Sequence, residues 1–221
     1  MDKNIIALDY RSKTVSMEYY LSDILHIVNQ NTNKEFEGNA FYYHNTQQRF
    51  NELLPKQMNL FWAGTRVQTR ICEIGFNAGH SALLMLNGCA ASDVEFTVFD
   101  IGQHNYTRPC LEYIQSQFPN VKMEYIEGDS IVKMGEYIHE HMERCGTYDV
   151  VHVDGGHTLE CITSDFAHAT KLVRQGGIVI VDDTNIDYID AAVNLAISSG
   201  EFTEIDCFPT VGYQHRLLRK T

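Results

Sequence analysis

Short apolar runs that alternate with stretches of helical periodicity dominate the chain from Thr69 onward. Strands and helices in alternation favour a parallel sheet covered by helices on both faces. Two further strand-like runs in the tail, separated by PTVG, predict an antiparallel hairpin at the sheet edge. We therefore predict an α/β fold with a mostly parallel, seven-stranded sheet. The runs of the parallel part are TRICEIGF, EFTVFDIG, KMEYIEGD, YDVVHVDGG and GIVIVDDT.

Between these runs, the stretch TLECITSDFAHATKLVRQGG (158–177) predicts a helix that ends at its glycines. Residues 1–68 precede the alternating pattern, and we expect a helical cap region there rather than an independent domain. Residues 69–221 then form one domain. Helices are predicted over 14–30 and 46–54, joined by a loop whose segment FYYHN (41–45) either covers a substrate or packs. The first helix places five residues on one face: Tyr20, Leu21, Ile24, Leu25 and Val28.

The charge balance excludes some classes of partner. A formal net charge of -12 argues against a surface for nucleic acid or anionic membranes. The one basic cluster, RLLRK at 216–220, is interpreted as a solvated terminus. The first residues lack a signal or anchor pattern, and no run approaches the roughly 18–20 apolar residues of a membrane span. Six scattered cysteines favour free thiols, so we expect a cytoplasmic protein.

All five apolar runs end in acidic residues, which is more acidic residues than the turns after five strands usually contain. In open α/β sheets, ligands bind beyond the carboxyl ends of the strands, where the strand order reverses. We therefore predict a ligand site at this edge. The residues at the five ends are, in order, Glu73 with Gly75, Asp100, Asp129, Asp154, and Asp182 with Asp183.

The first of these ends, CEIGFNAGHSA, leads into an apolar helix. Gly75 permits a sharp turn, and Gly79 lets the backbone approach a ligand at the helix amino terminus. The spacing differs from the Gly-x-Gly-x-x-Gly of dinucleotide binders. A plain strand-to-helix turn is the alternative interpretation.

Two later ends suit a nucleoside. Asp100 follows Gly79 by 21 residues, a position from which a carboxylate accepts the hydroxyls of a ribose. Asp129 and Ser130 in EGDS can read an adenine edge. Alternatively, Asp129 caps the helix that follows.

The fourth and fifth ends suit a divalent cation and a base. Strands about 4.8 Å apart bring Asp154 close to Asp182 and Asp183, and Mg²⁺ prefers such oxygen ligands. Both neighbouring aspartates can bind only if the strand has bent, and one of them could instead cap the next helix. His157 is a candidate general base, although a histidine of this kind can equally be a surface or core residue.

These motifs in this order resemble those of class I S-adenosylmethionine-dependent methyltransferases, from about Thr69 to the end of the chain. The resemblance implies a Rossmann-like methyltransferase fold in which the loop from Glu73 to Gly79 cradles the methionine part of the cofactor. It further implies that Ser81 binds the cofactor carboxylate, Asp100 the ribose, and Asp129 with Ser130 the adenine. The implied cofactor residues are Glu73, Gly75, Asn77, Gly79, Ser81, Asp100, Gly128, Asp129, Ser130 and Asp154.

The last two motifs resemble those of metal-dependent small-molecule O-methyltransferases. Catechol-type enzymes have a lysine where this chain has His157, and an asparagine where it has Thr184. The pattern DGGH … VDDT is closer to the macrolide-sugar type, which implies Asp154, Asp182 and Asp183 as ligands of a divalent cation such as Mg²⁺, and His157 as base.

The implied function is methyl transfer from S-adenosylmethionine to a hydroxyl of a sugar-like or vicinal diol acceptor. A small-molecule acceptor would be the partner, and a homo-oligomer is compatible with the sequence. Two alternatives stay open. One is a non-catalytic protein that binds S-adenosylmethionine, and the other is a metal-dependent hydroxylase or hydrolase on the same fold.

Overall fold

A computed structural model of the protein describes residues 2–31, 40–42, 51–211 and 214–221. It contains one seven-stranded sheet with the order β3-β2-β1-β4-β5-β7-β6. The strands are β1 Arg70–Ile74, β2 Val94–Asp100, β3 Val121–Glu127, β4 Tyr148–Val153, β5 Val173–Val181, β6 Phe202–Glu204 and β7 Arg216–Lys220.

Strands β1 to β5 are parallel, whereas β7 runs antiparallel to both β5 and β6. The predicted α/β fold with a mostly parallel sheet and an antiparallel C-terminal hairpin is confirmed. The interpretation of RLLRK as a solvated terminus is wrong, because this segment is β7 and lies between two strands. Leu217 and Leu218 are fully buried. The interpretation failed because basic residues on both sides of this apolar pair are typical of a solvated segment.

Helices cover both faces of the sheet, as the alternation predicts. Side chains of successive strand residues point to opposite faces. Accordingly, Ile71 and Val150 join the core beneath the first four helices, and Cys72 and Val151 join the core beneath the last three. The helices are α1 Lys3–Asn31, α2 Leu54–Gly64, α3 His80–Gly88, α4 Thr107–Gln117, α5 Ser130–Glu140, α6 Leu159–Leu172 and α7 Asp187–Ser198, with 3₁₀ turns at Asn51–Leu53 and Met142–Arg144.

The two amino-terminal helices differ from their predicted bounds. Helix α1 starts eleven residues before position 14, and its buried face extends to Ile6 and Tyr10. The second helix is α2, which begins after the predicted segment has almost ended, with Pro55 in its first turn. Proline suits that position because its missing N–H would have no partner there. Residues 46–50 of the predicted helix, and 43–45 of the segment FYYHN, lie outside the described residues.

Two smaller differences concern the helix after β4. Helix α6 ends at Leu172, not at the glycines, because the chain enters β5 at Val173. Leu159 begins α6 but is 60% exposed, and the buried face of the helix starts at Cys161. Within the described residues, no helix combines the length and apolarity that crossing a membrane requires.

Asp149 in β4 connects the starts of three strands. Its buried carboxylate accepts hydrogen bonds from the backbone N–H groups of Gln68, Thr69 and Arg70 at 2.6–3.0 Å. It also accepts one from Nε of Arg174 in β5 at 2.7 Å. Burial by itself would raise the pKa of Asp149, but Arg174 and the backbone donors hold it below its ordinary value.

We expect Asp149→Asn to lower the free energy of unfolding by about 1–3 kcal/mol at neutral pH, because an amide replaces a charged acceptor. A carboxyl whose pKa is lowered by folding stabilises above its unfolded pKa of about 3.9, and this contribution disappears as the pH falls through the lower folded value. The difference from the native protein should therefore shrink below about pH 4. Urea unfolding at neutral pH and below about pH 4 measures this difference in the free energy of unfolding. The control is Asp93→Asn, which changes an exposed carboxylate. An equal loss of unfolding free energy in the two variants would contradict the prediction.

Candidate active site

A cavity of about 440 Å³ lies beyond the carboxyl ends of the parallel strands. The strand order reverses between β1 and β4, and the loops that follow these two strands line the cavity. The sequence predicted a ligand site at this edge, and the structure places most of the predicted residues around one space. Those that line it are Gly75, Asn77, Ser81, Asp100, Gly128, Asp129, Ser130, Asp154, His157, Asp182 and Asp183.

The glycine loop after β1 depends on close backbone contact. Gly75 has a φ of +86°, and a Cβ atom there would lie 1.9 Å from the carbonyl oxygen of Asp154. Gly79 has a φ of +78° and stands immediately before α3. Gly75 therefore lets the loop contact the end of β4, whereas a Cβ atom at Gly79 would meet the side chains of Phe76 and Ile114. Gly79 does not line the cavity, but His80 and Ser81 at the amino terminus of α3 do.

Asp100 holds this loop in place. One oxygen, Oδ2, accepts hydrogen bonds from the backbone N–H groups of Phe76 and Asn77, each at 2.9 Å. The other oxygen, Oδ1, accepts from the backbone N–H of Gly102 at 2.8 Å. The residue predicted to bind a ribose thus also fixes the shape of the loop predicted to bind the rest of the cofactor.

Asp129 caps α5, as the alternative interpretation of the sequence proposed. Its Oδ1 accepts a hydrogen bond from the backbone N–H of Ile131 at 3.0 Å. The residue lines the cavity as well, next to Gly128 and Ser130. Helix capping and a place at the ligand site are therefore compatible here.

Glu73 lies beneath the cavity and not in its wall. It is fully buried, and its Oε1 accepts a hydrogen bond from the hydroxyl of Ser81. The same oxygen lies 2.9 Å from Nδ1 of His152, which is its register partner on β4. The hydroxyl of Ser81 is turned towards Glu73, and its binding of a cofactor carboxylate stays a prediction.

His157, Asp154 and Asp183 converge at the open side of the cavity. Each offers a ligand atom, and these atoms lie within 4.8 Å of one another. Nε2 of His157 is 2.7 Å from Oδ2 of Asp183, and this hydrogen bond raises the pKa of His157, against partial burial, which lowers it. The His157 side chain is 58% exposed and is therefore accessible from solvent.

The chain bends between the two neighbouring aspartates, as the metal prediction required. Strand β5 ends at Val181, and Asp183 has a φ of +53°. Neither aspartate caps the next helix, which contradicts that alternative: α7 begins at Asp187, and its N-cap residue Ile186 makes no side-chain cap. The bend brings the carboxylates of Asp182 and Asp183 to one edge of the sheet, where Asp183 contacts His157 and Asp182 contacts Lys56.

Asp182 forms a buried ion pair with Lys56 of α2, a contact that the sequence interpretation missed. Both side chains are less than one tenth exposed. Burial alone would raise the pKa of Asp182, but the Lys56 ammonium holds it below its ordinary value. Burial and the charge of Asp182 raise the pKa of Asp154 well above its usual range.

A signal for Lys56 was present in the sequence. It is the only charged residue between Glu52 and Arg66, in the otherwise uncharged stretch LLPKQMNLFWAGT. A charged residue on a helix that is apolar nearly all round is seldom buried unless it is paired. Its partner Asp182, which follows β5, is 126 residues away, so the pairing itself depends on the fold.

The donor atoms at this edge suit a divalent cation. Carboxylate oxygens of Asp154 and Asp183 give two ligands, and waters can complete the shell of a cation such as Mg²⁺. Asp154, Asp182 and Asp183 together with Lys56 carry a formal charge of −2 when all are ionised, which one divalent cation balances. His157 next to Asp183 supplies an oriented imidazole for proton transfer.

Comparison with known proteins supports a family assignment. The family described as "Methyltransferase domain" matches residues 72–184, slightly more than half of the chain. This range contains Glu73 to Gly79, Asp100, Asp154 and Asp183. No curated protein matches the chain.

Solved structures share the fold. The O-methyltransferase from Bacillus cereus, in complex with SAH, is 16% identical with a TM-score of 0.62, and the match covers 97% of each chain. A protein from Corynebacterium glutamicum is 15% identical with a TM-score of 0.58, again over 97% of each chain. An O-methyltransferase family protein from Burkholderia thailandensis is 14% identical with a TM-score of 0.51, and the match covers 76% of this chain and 55% of that one.

At such identities the structural matches establish the fold, and the matched family establishes the class of enzyme. The seven-stranded sheet, the glycine loop after β1 and the acidic ends of the parallel strands all lie in or next to the matched range. The chain therefore belongs to the methyltransferase domain family and has the Rossmann-like fold of class I methyltransferases.

Proposed function

We propose that the protein transfers the methyl group of S-adenosylmethionine to a hydroxyl of a small molecule, with a divalent cation and with His157 as general base. The family membership and the fold shared with an O-methyltransferase solved with SAH support this proposal. The observation that carries it is the position of Asp154, His157 and Asp183. They lie in the same cavity as the glycine loop and at its exposed side.

The cofactor would occupy the part of the cavity formed by the loops after β1, β2 and β3. The amino terminus of α3 offers free N–H groups to a carboxylate. Oδ1 of Asp100 accepts one backbone hydrogen bond and retains a lone pair for a ribose hydroxyl. Gly128 to Ser130 line the cavity and would form the wall next to an adenine. When bound there, S-adenosylmethionine supplies an electrophilic methyl group on a sulfonium.

His157 would accept the proton of the acceptor hydroxyl as its oxygen bonds to the methyl carbon and the carbon–sulfur bond breaks. Asp183 orients the imidazole through the 2.7 Å hydrogen bond and stabilises its protonated form. Asp154 and Asp183, with His157 next to them, would hold the cation, which lowers the pKa of a hydroxyl bound to it. Lys56 keeps Asp182 charged and fixed behind this site.

The acceptor would enter from the side of the amino-terminal region. Ala40 and the α2 residues Lys56 and Leu60 line the cavity there. The resemblance to macrolide-sugar enzymes favours a sugar-like or other vicinal diol, whose two adjacent oxygens can share one cation. We also propose a cytoplasmic protein without a nucleic-acid or membrane surface, since all six cysteines are free and the net charge is -12.

Asp100→Ala should weaken the binding of S-adenosylhomocysteine by about 10- to 100-fold, because three backbone N–H groups lose their acceptor and the glycine loop loses its fixed shape. Isothermal titration calorimetry measures this affinity. The control is Glu124→Ala, which removes an exposed carboxylate of β3. Unchanged affinity in Asp100→Ala would remove this residue from the cofactor site.

The function itself is tested by incubating the protein and an extract of its source cells with methyl-labelled S-adenosylmethionine. We expect a labelled small molecule that forms with added divalent cation and not with a chelator. Label transfer that a chelator leaves unchanged would contradict the role of the cation. Tight binding of S-adenosylhomocysteine without transfer to any compound in the extract would favour a non-catalytic binding protein.

A further inference from the structure

We infer that His152 binds the cation from the buried side, so that the site is a mixed nitrogen–oxygen site that prefers Mn²⁺ or another transition metal to Mg²⁺. This inference rests on the proposed cation site, but not on methyl transfer. The inference adds a ligand that lies within β4. The sequence predicted only the carboxylates at the ends of the strands as ligands.

The position of His152 is unusual for a polar residue. It lies in the middle of the sheet among valines, and its side chain is fully buried. It precedes Asp154 by two residues, so the strand periodicity directs both side chains to the same side. Its Nε2 is buried without a hydrogen-bond partner among the described residues. A buried polar atom of this kind costs free energy unless something binds it.

The other ring nitrogen indicates what could bind. Nδ1 of His152 lies 2.9 Å from Oε1 of Glu73, and an ionised carboxylate only accepts hydrogen bonds. Nδ1 therefore carries the hydrogen in the neutral ring, and Nε2 presents a lone pair. A histidine that donates one ring N–H to a carboxylate while its other nitrogen bears a lone pair has the usual arrangement of a metal ligand. Ser81 also donates to Glu73 and steadies that carboxylate.

Two carboxylates lie within reach of this imidazole. His152, Asp154 and Asp182 offer ligand atoms that lie within 4.8 Å of one another. Oδ1 of Asp182 is likewise buried without a hydrogen-bond partner among the described residues, since Lys56 binds the other oxygen. A lone pair on nitrogen and one on oxygen cannot satisfy each other, whereas a cation held by His152 and Asp182 would satisfy both.

The chemistry of these donors selects the metal. Mg²⁺ prefers oxygen ligands in near-octahedral geometry and keeps several waters. Imidazole favours later metals, and the affinity of a nitrogen–oxygen site rises from Mn²⁺ towards Cu²⁺. Lys56 opposes any cation, because its ammonium already neutralises part of the charge of Asp182. It therefore limits how tightly the site binds metal without removing a ligand.

The decisive experiment is pulsed electron paramagnetic resonance of Mn²⁺ bound to the holoprotein variant His157→Ala, made with ¹⁵N-labelled and with unlabelled histidine. In this variant, the imidazole at the open side is absent. We expect a nitrogen coupling that changes with the histidine isotope, and we expect His152→Gln to abolish it. Mn²⁺ bound without a histidine coupling would overturn the inference and assign the cation to the carboxylates alone.

Affinities give a second, independent readout. We expect the native protein to bind Mn²⁺ about tenfold or more tightly than Mg²⁺ in calorimetry. Lys56→Met should tighten Mn²⁺ binding, and His152→Gln should weaken it by about 10- to 100-fold. Equal affinities for Mg²⁺ and Mn²⁺, or no cation binding at all, would overturn the inference. Cation binding through His152 in a protein that transfers no methyl group would leave the inference intact and reject only the proposed function.

Discussion

His157→Ala should lower the rate of methyl transfer by about 10²- to 10⁴-fold, the range typical for loss of a general base. S-adenosylhomocysteine should still bind with native affinity, because the loops after β1, β2 and β3 do not involve this side chain. The physical reason is the geometry at the open side of the cavity: an exposed imidazole, 2.7 Å from Asp183, is oriented to take a proton. Single-turnover transfer of labelled methyl groups and calorimetry measure the two quantities separately.

The control is His139→Ala, which removes an exposed imidazole from the last turn of α5. If His157→Ala keeps the native turnover rate, His157 is excluded as the general base. A rate that excess Mn²⁺ restores would show that His157 serves to hold the cation. A rate that stays low at saturating cation, with cofactor affinity unchanged, supports proton transfer.

Lys56→Met should lower the free energy of unfolding by about 3–5 kcal/mol when a chelator is present, because Asp182 is left as a buried charge without its partner. Part of this loss should be recovered on adding a divalent cation, which supplies positive charge at the same carboxylates. Urea unfolding with and without the cation measures both effects. Methionine keeps the length and apolar stem of lysine, so packing of α2 changes little.

The chain offers a matched control in Lys3→Met. Lys3 forms a 2.8 Å pair with Asp206, but the two side chains are 37% and 86% exposed, so about 0–1 kcal/mol is expected. The double variant Lys56→Met, Asp182→Asn should be more stable than Lys56→Met alone, because the unpaired charge is gone. Equal losses in the two single lysine variants would contradict a special role for the buried pair.

The sheet and the edge that holds the site could be predicted from the sequence, because both depend on local patterns. Apolar runs alternate with helical stretches, and residues such as Asp100 and Asp154 stand where those runs stop. The fold then brings such ends together because parallel strands share one carboxyl edge. Which contacts each carboxylate makes is a different matter. Asp100 holding the backbone of Phe76 is visible only in three dimensions.

Residues that enter the site from distant parts of the chain were not predictable in the same way. Lys56 and its partner Asp182 are brought together by the tertiary packing of α2, which has no local signature. The sequence predicts His152 as part of an apolar strand, and its partner Glu73 on β1 gives the ring its orientation. The sequence misplaces the start of α2, because the predicted helix over 46–54 ends at Leu54, where α2 begins.

The position of β7 between β5 and β6 fixes the order in which the sheet can form while the protein is synthesised on the ribosome. Synthesis proceeds from the amino terminus, so β1 to β5 emerge first, yet β5 must wait for residues 216–220 before its outer edge is paired. His215, which bonds to Asn59 of α2 at 2.8 Å, arrives with them. The surroundings of the buried pair of Lys56 and Asp182 are thus completed only after β7 has joined the sheet.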